Sequence, residues 1–184
     1  MAGIYGDITK VMTTGASEKT SKGLGVKGVE ASHKLAESDL KRVDQYKSMI
    51  TKVAKEKQID PAIVAGIISR ESRAGLLLKD GWGDNHNGFG LMQVDKNAHP
   101  DYKKPWNGEE HIRQGVDILI SFIKQIQDKF PSWSKENQLK GGIAAYNLGV
   151  KNIKTLEGMD VKSSGDDYSS DVVARAQWFN SHGY

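Results

Sequence analysis

The sequence of 184 residues contains no cysteine, which excludes disulfide bonds, thiolate nucleophiles and metal sites with cysteine ligands. Long hydrophobic runs are also missing, because the most apolar stretch, residues 116–126, is interrupted by Asp117, Ser121 and Lys124. A membrane-spanning helix needs roughly 20 apolar residues, so we expect no membrane segment. The start, Met1–Gly6, has neither the charged residues nor the apolar core of a secretory signal.

Metal and cofactor motifs are absent as well. The five histidines do not follow HExxH or another zinc spacing. The loop DGWGDNHNG at 80–88 spaces its oxygen ligands wrongly for a calcium loop and lacks the closing glutamate. The sequence contains no GxSxG motif of a serine hydrolase and no glycine-rich phosphate loop. We therefore expect neither a metal ion nor a cofactor.

The charge of the chain is mildly basic, with a formal net charge of +3 and a pI near 8.9. Such a charge favours encounter with an anionic polymer, such as a bacterial wall or a nucleic acid, although a slightly basic surface without any partner explains it as well. No basic stripe interleaved with aromatic residues is present, so we expect no binding of nucleic acid.

The apolar periodicity is mainly helical. Residues 1–30 are predicted to be irregular and to be held on the core by Ile4, Tyr5, Ile8 and Val11. Six or seven helices with a small strand region predict one mainly α (α+β) domain over residues 1–184, and the helix ending at Phe130 is apolar over the wide arc of a central core helix. The predicted helices run from Ala31 through Val53, from Pro61 to an exit at Gly75, from an Asn107 cap to Phe130, from Ser134 to an exit at Gly149, near Val150–Leu156, and from Ser170 to Phe179.

The helix that begins after Asp60 carries a candidate catalytic acid. Its apolar residues recur at helical spacing, and Glu71 follows Ile67 by four positions and Ile68 by three, so it continues the buried stripe. A carboxyl group there loses hydration, which raises its pKa toward the range a general acid needs near neutral pH. In the alternative interpretation, Glu71 pairs with Arg70 or Arg73, or lies at the solvent-exposed edge of the apolar stripe.

Two further acids, Asp84 and Asp95, follow in a glycine-rich loop. The glycines predict tight turns or close approach to a ligand, and residues 89–94 (FGLMQV) predict a short strand or hairpin arm. One desolvated acid facing two loop acids is the arrangement that glycosidic bond cleavage requires. One carboxylic acid protonates the leaving oxygen, and a second carboxylate acts as a base toward water or as a nucleophile. Loop aspartates are also common turn formers, and that role explains Asp80 as well as a role in catalysis does.

Three motifs appear in the order and spacing of a known family. The ES pair at 71–72, GFGLMQV at 88–94 and AAYNLG at 144–149 resemble motifs of the goose-type lysozymes and of their relatives, the lytic transglycosylases. The resemblance continues through LKGGIAAYN at 139–147 and DDYSSDVVARAQ at 166–177, so it covers nearly the whole chain and points to the goose-type branch.

The resemblance implies a lysozyme-like fold with strands beside an active-site cleft. It also implies cleavage of the β-1,4 bond between N-acetylmuramic acid and N-acetylglucosamine in bacterial peptidoglycan, with defence against bacteria as the biological role. Glu71 would be the general acid, and Asp84 and Asp95 would activate water with inversion if they lie across a gap of roughly 6.5–9.5 Å from it. The residues expected to bind substrate are Tyr146, which faces the scissile sugar in the family, Asn147, Gln93, His99, Phe122 and Tyr168.

Several expectations come with alternatives. A lytic transglycosylase needs Glu71 but no second carboxylate, so Asp84 and Asp95 favour hydrolysis; a wall-binding protein without turnover is the third hypothesis. We expect a monomer that also accepts chitin-like N-acetylglucosamine oligosaccharides. Many goose-type lysozymes are secreted with disulfides, whereas this chain has no cysteine, so both a secreted and an intracellular form stay open.

Overall fold

The fold is mainly helical, as predicted. A computed structural model describes residues 3–184; Met1 and Ala2, part of the start considered above, lie outside the described residues. Among residues 3–184, no helix is both long and apolar enough to cross a lipid bilayer. The six α-helices are α1 (Gly28–Asp44), α2 (Lys47–Lys57), α3 (Pro61–Ser72), α4 (Glu109–Lys129), α5 (Lys135–Leu148) and α6 (Tyr168–Asn180).

Helix α3 is the buried centre of the molecule. Nine of its 12 residues are buried, and it packs against α1, α2 and α6. The prediction that α4 is the central helix is therefore wrong, because α4 exposes Asp117, Ser121 and Lys124 along one face. The apolar arc of α4 covers one side of the core, while α3 is surrounded on several sides.

The predicted start of α3 is confirmed and its predicted end is wrong. The Asp60 carboxylate caps the helix by accepting a hydrogen bond from the Ala62 amide at 2.8 Å. The helix stops at Ser72 because Arg73 takes a left-handed backbone conformation with φ of 51°, whereas the prediction placed the exit at Gly75. The Arg73 side chain is held by the buried carboxylate of Asp39 at 2.7 Å, a contact from α1 that local sequence does not reveal.

Other helix bounds also differ from the prediction. The helix predicted from Ala31 is two helices, because a turn at Gln45 and Tyr46 separates α1 from α2. Gly108, rather than Asn107, precedes α4, since a turn closed by the Gly108 amide and the Pro105 carbonyl sets the helix start. The predicted helix near 150–156 is only a 3-10 turn, Val150–Asn152.

Helices α5 and α6 differ in how closely they follow the prediction. Helix α5 begins directly after Ser134 and ends directly before Gly149, close to the predicted start and exit, and the Ser134 side chain caps it by accepting a hydrogen bond from the Asn137 amide. Helix α6 begins at Tyr168, two residues before the predicted Ser170, and the Asp160 carboxylate accepts hydrogen bonds from the Ser169 and Ser170 amides in its first turn. This cap comes from a preceding loop, which explains why a local reading misplaced the start.

The N-terminal segment lies against the core as irregular structure with one 3-10 turn, Ile8–Lys10. Tyr5, Ile8 and Val11 are buried, whereas Ile4, expected to be among them, is half exposed. Gln177 of α6 donates hydrogen bonds to the carbonyl oxygens of Ile8 and Val11 at 3.0 and 2.8 Å.

A small antiparallel sheet follows α3, consisting of β1 (Trp82–Gly83), β2 (Gly88–Phe89) and β3 (Val94–Asp95) in that order. Phe89 pairs with Val94, and Gly88 pairs with Asp95. Residues 89–94 thus form the ends of two strands and the turn between them, in agreement with the hairpin prediction. The sheet brings the two loop acids to its edges, next to the end of α3.

Candidate active site

A cleft of about 610 Å³ lies between the end of α3, the small sheet and the end of α5. It brings together six of the nine predicted site residues, namely Glu71, Asp84, Asp95, Gln93, Tyr146 and Asn147. The remaining lining residues are Leu77, Leu78, Gly83, Asn87, Gly88, Asn97 and Ser164.

Glu71 lies in the last turn of α3 with a partly buried side chain. The Tyr168 hydroxyl donates a hydrogen bond to its Oε2 at 2.8 Å. Burial raises the pKa of Glu71 to about 7, and the negative charge of Asp84 adds to this effect, while the bond from Tyr168 and the charge of Arg70 oppose it. A carboxyl group with this pKa is protonated in a large fraction of molecules at neutral pH.

The two arginines near Glu71 in the sequence, Arg70 and Arg73, form ion pairs with other residues. Arg70 contacts Asp167 at 3.0 Å and Asp171 at 2.7 Å, and Arg73 contacts Asp39. Within residues 3–184, neither arginine forms an ion pair with Glu71. The alternative that such a pair explains this glutamate is therefore wrong.

Asp84 and Asp95 are both exposed and stand on the sheet side of the cleft. Asp84 follows β1 directly and has a left-handed backbone, with φ of 50°. Asp95 ends β3, and its Oδ1 accepts a hydrogen bond from the Asn97 amide at 2.9 Å. The cleft therefore sets one partly buried acid beside two hydrated ones.

The position of the Gln93 side chain explains why two residues of the loop are glycine. Its Nε2 donates to the Gly90 carbonyl at 2.9 Å, and its side chain lies directly on the backbone of the sheet. A Cβ atom at Gly83 or Gly88 would overlap the Gln93 amide group. The sequence predicted tight turns or close approach to a ligand, whereas at these two glycines the group that approaches the backbone is a side chain of the protein itself, which also lines the cleft.

The two tyrosines near Glu71 are placed differently. The hydroxyl of Tyr146 donates to the Met92 carbonyl at 2.6 Å, and Tyr146 lines the cleft. Tyr168 is 1% exposed and reaches the site through its hydrogen bond to Glu71. Burial raises the pKa of both phenols well above the usual value, so both hydroxyls keep their protons.

Three predicted residues have roles or places that the motifs do not reveal. The Oδ1 of Asn147 accepts a hydrogen bond from the Ser164 amide at 3.2 Å and thereby fixes one lip of the cleft. His99 and Phe122 line a separate groove of about 480 Å³ along α4, so the structure does not place them with Glu71. Phe122 also packs against the smaller apolar cluster around Ile126.

Sequence reasoning missed the polar groups that support the site. Asn87 and Asn97 line the cleft within the same loops as the two aspartates, and their position beside those acids was an available signal. His111 is buried on α4, and its Nε2 accepts a hydrogen bond from the Met92 amide at 3.0 Å. No local pattern distinguishes this histidine from its surface counterparts, because its partner is 19 residues away.

Comparison with known proteins identifies the family. The model of the family described as Lysozyme g matches residues 5–183. Lysozyme g of Casuarius casuarius is 58% identical over 99% of both chains, and Lysozyme g of Cyprinus carpio is 59% identical over the full length of both. Lysozyme g of Gallus gallus is 56% identical over 99% of this chain and 87% of the relative. The chain therefore belongs to the lysozyme g family, as its three motifs predicted.

Proposed function

We propose that the protein is a lysozyme that hydrolyses the β-1,4 bond between N-acetylmuramic acid and N-acetylglucosamine in bacterial peptidoglycan. The observation that carries the proposal is a partly buried Glu71, with a pKa of about 7, in one cleft with the exposed Asp84 and Asp95. A protonated acid and a hydrated carboxylate are the two groups that glycoside hydrolysis needs.

In the proposed reaction, Glu71 gives its proton to the glycosidic oxygen as the bond to the anomeric carbon breaks. Asp84 and Asp95 hold a water on the opposite face of the sugar, and one of them accepts a proton as the water oxygen bonds to that carbon, with inversion. Afterwards Glu71 regains a proton from solvent and the aspartate releases one.

Tyr146 supports the proposed transition state through its phenolic oxygen. Its proton is directed to the Met92 carbonyl, so its lone pairs are available to the positive charge that develops on the sugar ring. Gln93 and Asn147 shape the surface on which the sugars lie, and Tyr168 acts through Glu71. The groove lined by His99 and Phe122 would receive sugar units farther along the glycan chain.

We further propose that the enzyme acts as a monomer, outside the cell that makes it, and without metal or cofactor. Chitin-like N-acetylglucosamine oligosaccharides would serve as smaller substrates, because they share the acetamido sugar and the β-1,4 bond. A bacterial wall is a polyanion, so the positive net charge of the chain would favour the encounter.

The second candidate is lytic transglycosylase activity, in which a hydroxyl of the muramic acid replaces water. It uses Glu71 but leaves Asp84 and Asp95 without a role, and the position of both in the cleft supports hydrolysis. The products distinguish the two reactions, because a transglycosylase leaves 1,6-anhydro ends that are lighter by one water. A wall-binding protein without turnover would release no product at all.

The proposal is tested by Glu71→Gln, which keeps the shape of the side chain and removes the acid. We expect turnover to fall by about 10²–10⁴-fold, the usual contribution of a general acid, while binding to insoluble peptidoglycan is retained. Turbidity clearing of a bacterial suspension and mass analysis of the products are the measurements. Glu37→Gln is the matched control, since Glu37 is an exposed residue of α1 outside the cleft. Wild-type activity in Glu71→Gln would remove Glu71 from the mechanism.

A further inference from the structure

The loop between β1 and β2 has an unusual backbone. Asp84, Asn85 and His86 have φ angles of 50°, 53° and 69°, so three consecutive residues other than glycine are left-handed. Asp, Asn and His tolerate this region better than most residues, but it is normally visited one residue at a time. Such a run persists only when the surrounding structure holds it, and such strain often marks functional sites.

Two contacts close this loop. The strands on either side pair Gly83 with Gly88, and the Asn87 amide donates to the Asp84 carbonyl at 3.0 Å. The His86 ring then folds back onto the ring of Trp82, with 3.9 Å between the centroids and 19° between the planes. All three left-handed residues are exposed. The end of the loop is tied to the residue after β3, because the Asn87 carbonyl accepts a hydrogen bond from the Lys96 amide at 3.0 Å. The stack on Trp82 adds a tie from His86 to β1.

The Trp82 ring offers a fixed platform for the stack. It makes edge-to-face contacts with the rings of Phe89 and Tyr102, with centroid distances of 4.8 and 5.1 Å. The Lys96 ammonium lies 5.5 Å from the ring centroid. Phe89 is itself buried and paired with Val94 in the sheet, so the platform is anchored in the body of the protein.

His86 is placed to act on the loop rather than on a sugar in the cleft. It lines a different depression of about 420 Å³, together with Lys79, Asp80 and Asn85, and it is not among the residues that line the cleft of Glu71. Asp84, two residues earlier, does line that cleft. The stack thus lies on the outer side of a loop whose other side carries the carboxylate.

We propose that His86 is a positioning residue that, by stacking on Trp82, holds the left-handed loop so that Asp84 faces Glu71 across the cleft. The inference rests on the proposed role of Asp84 in activating water. It assigns a function to a histidine that has no metal spacing in the sequence and no contact with the cleft.

The test compares His86→Ala, which removes the stack, with His86→Phe, which keeps a ring that stacks on Trp82. On a soluble N-acetylglucosamine oligosaccharide, we expect His86→Ala to lower kcat on the order of tenfold with KM within about twofold, because misplacing a reacting group mainly affects the chemical step. His86→Phe should stay within about twofold of wild type. Hydrogen exchange of the Asn87 amide, measured by NMR, should become faster in His86→Ala and return to the wild-type rate in His86→Phe.

A matched control exists at the end of the chain. His182 stacks on Trp178 in nearly the same geometry, with centroids 3.8 Å apart and planes at 14°, and it is exposed and outside the cleft. His182→Ala therefore removes an equivalent stack and should leave kcat and the exchange of Asn87 unchanged.

The outcomes separate the inference from the proposed function. Unchanged Asn87 exchange in His86→Ala or a rise in KM alone would each overturn the positioning role, the latter by indicating direct contact with sugar. The double variant Asp84→Asn, His86→Ala should be no slower than Asp84→Asn alone, and a further loss would also overturn it. Full activity of Asp84→Asn would instead refute the proposed role of Asp84, while the exchange data would still decide whether the stack holds the loop.

Discussion

The hydrogen bond from Tyr168 to Glu71 leads to a quantitative prediction about pH. The hydroxyl donates to the carboxylate at 2.8 Å and so stabilises the ionised form of Glu71, which lowers a pKa that burial has raised. Tyr168 is 1% exposed, so water has little room to replace a lost hydroxyl. In Tyr168→Phe, we therefore expect the pKa of Glu71 to rise above its value of about 7.

The size of the effect follows from the energy of the bond. A hydrogen bond to a charged group contributes about 1.5–3 kcal/mol, and one pH unit corresponds to roughly 1.4 kcal/mol. The lower bound predicts a displacement of about one pH unit. Since Glu71 must be protonated to act as an acid, the variant should stay active to higher pH, and the basic limb of its pH–rate profile should move upward.

The measurement is kcat/KM against pH on a soluble oligosaccharide, because this quantity reports the pKa of the free enzyme. Tyr146→Phe is the control, since the Tyr146 hydroxyl donates to the Met92 carbonyl and not to Glu71. It should lower the rate without moving the basic limb. If the limb of Tyr168→Phe stays in place or moves downward, the bond does not tune the acid.

Three further predictions concern the acids and the core. Asp84→Asn and Asp95→Asn should each reduce turnover by less than Glu71→Gln, and the double variant should lose more than either; wild-type rates in both single variants would mean that these aspartates only shape turns. Burial lowers the pKa of His111 from 6.5 to about 4, so the unfolded chain binds more protons than the folded chain between these two pH values. The free energy of unfolding should therefore decrease by roughly 3 kcal/mol as the pH falls through that window. Urea unfolding at several pH values checks this, and His111→Gln should show a smaller dependence if the buried ring is the cause. Gly90→Ala should destabilise the protein by about 2–4 kcal/mol, because φ is +79° and the new Cβ would overlap the His111 ring. Gly23→Ala is the control, since φ is +85° but the space around it is open, and it should cost only about 1 kcal/mol. Equal losses in urea unfolding would show that the overlap contributes nothing.

Much of the candidate site could be predicted from local patterns. The apolar spacing of α3 predicted that Glu71 continues the buried stripe, and the glycine-rich loop carried Asp84 and Asp95; all three line one cleft. The Asp60 cap of α3 and the start of α5 at Ser134 were predicted for the same reason, since a capping side chain bonds to amides two or three residues away. Both partners of such a short-range interaction lie close together in the sequence, so a local pattern reveals it.

Features that depend on distant partners could not be predicted this way. Nothing near Arg73 in the sequence shows that Asp39 would hold it and end α3 early, because that carboxylate comes from another helix. Nor does local spacing indicate that Arg70 turns toward Asp167 and Asp171, and so leaves Glu71 without an ion pair.

Three motifs in the sequence were enough for the family, and apolar periodicity with the glycine-rich loop was enough for the mainly helical fold and the identity of the proposed acids. The packing of α6 against α3 decided that Tyr168 is buried beside Glu71, and packing of the sheet decided that Gln93 lies on two glycines. Folding also set His99 and Phe122 in a groove of their own. The physical reason is that pKa, burial and the shape of a cleft depend on which atoms surround a group in space, and those atoms come from parts of the chain that are far apart along it.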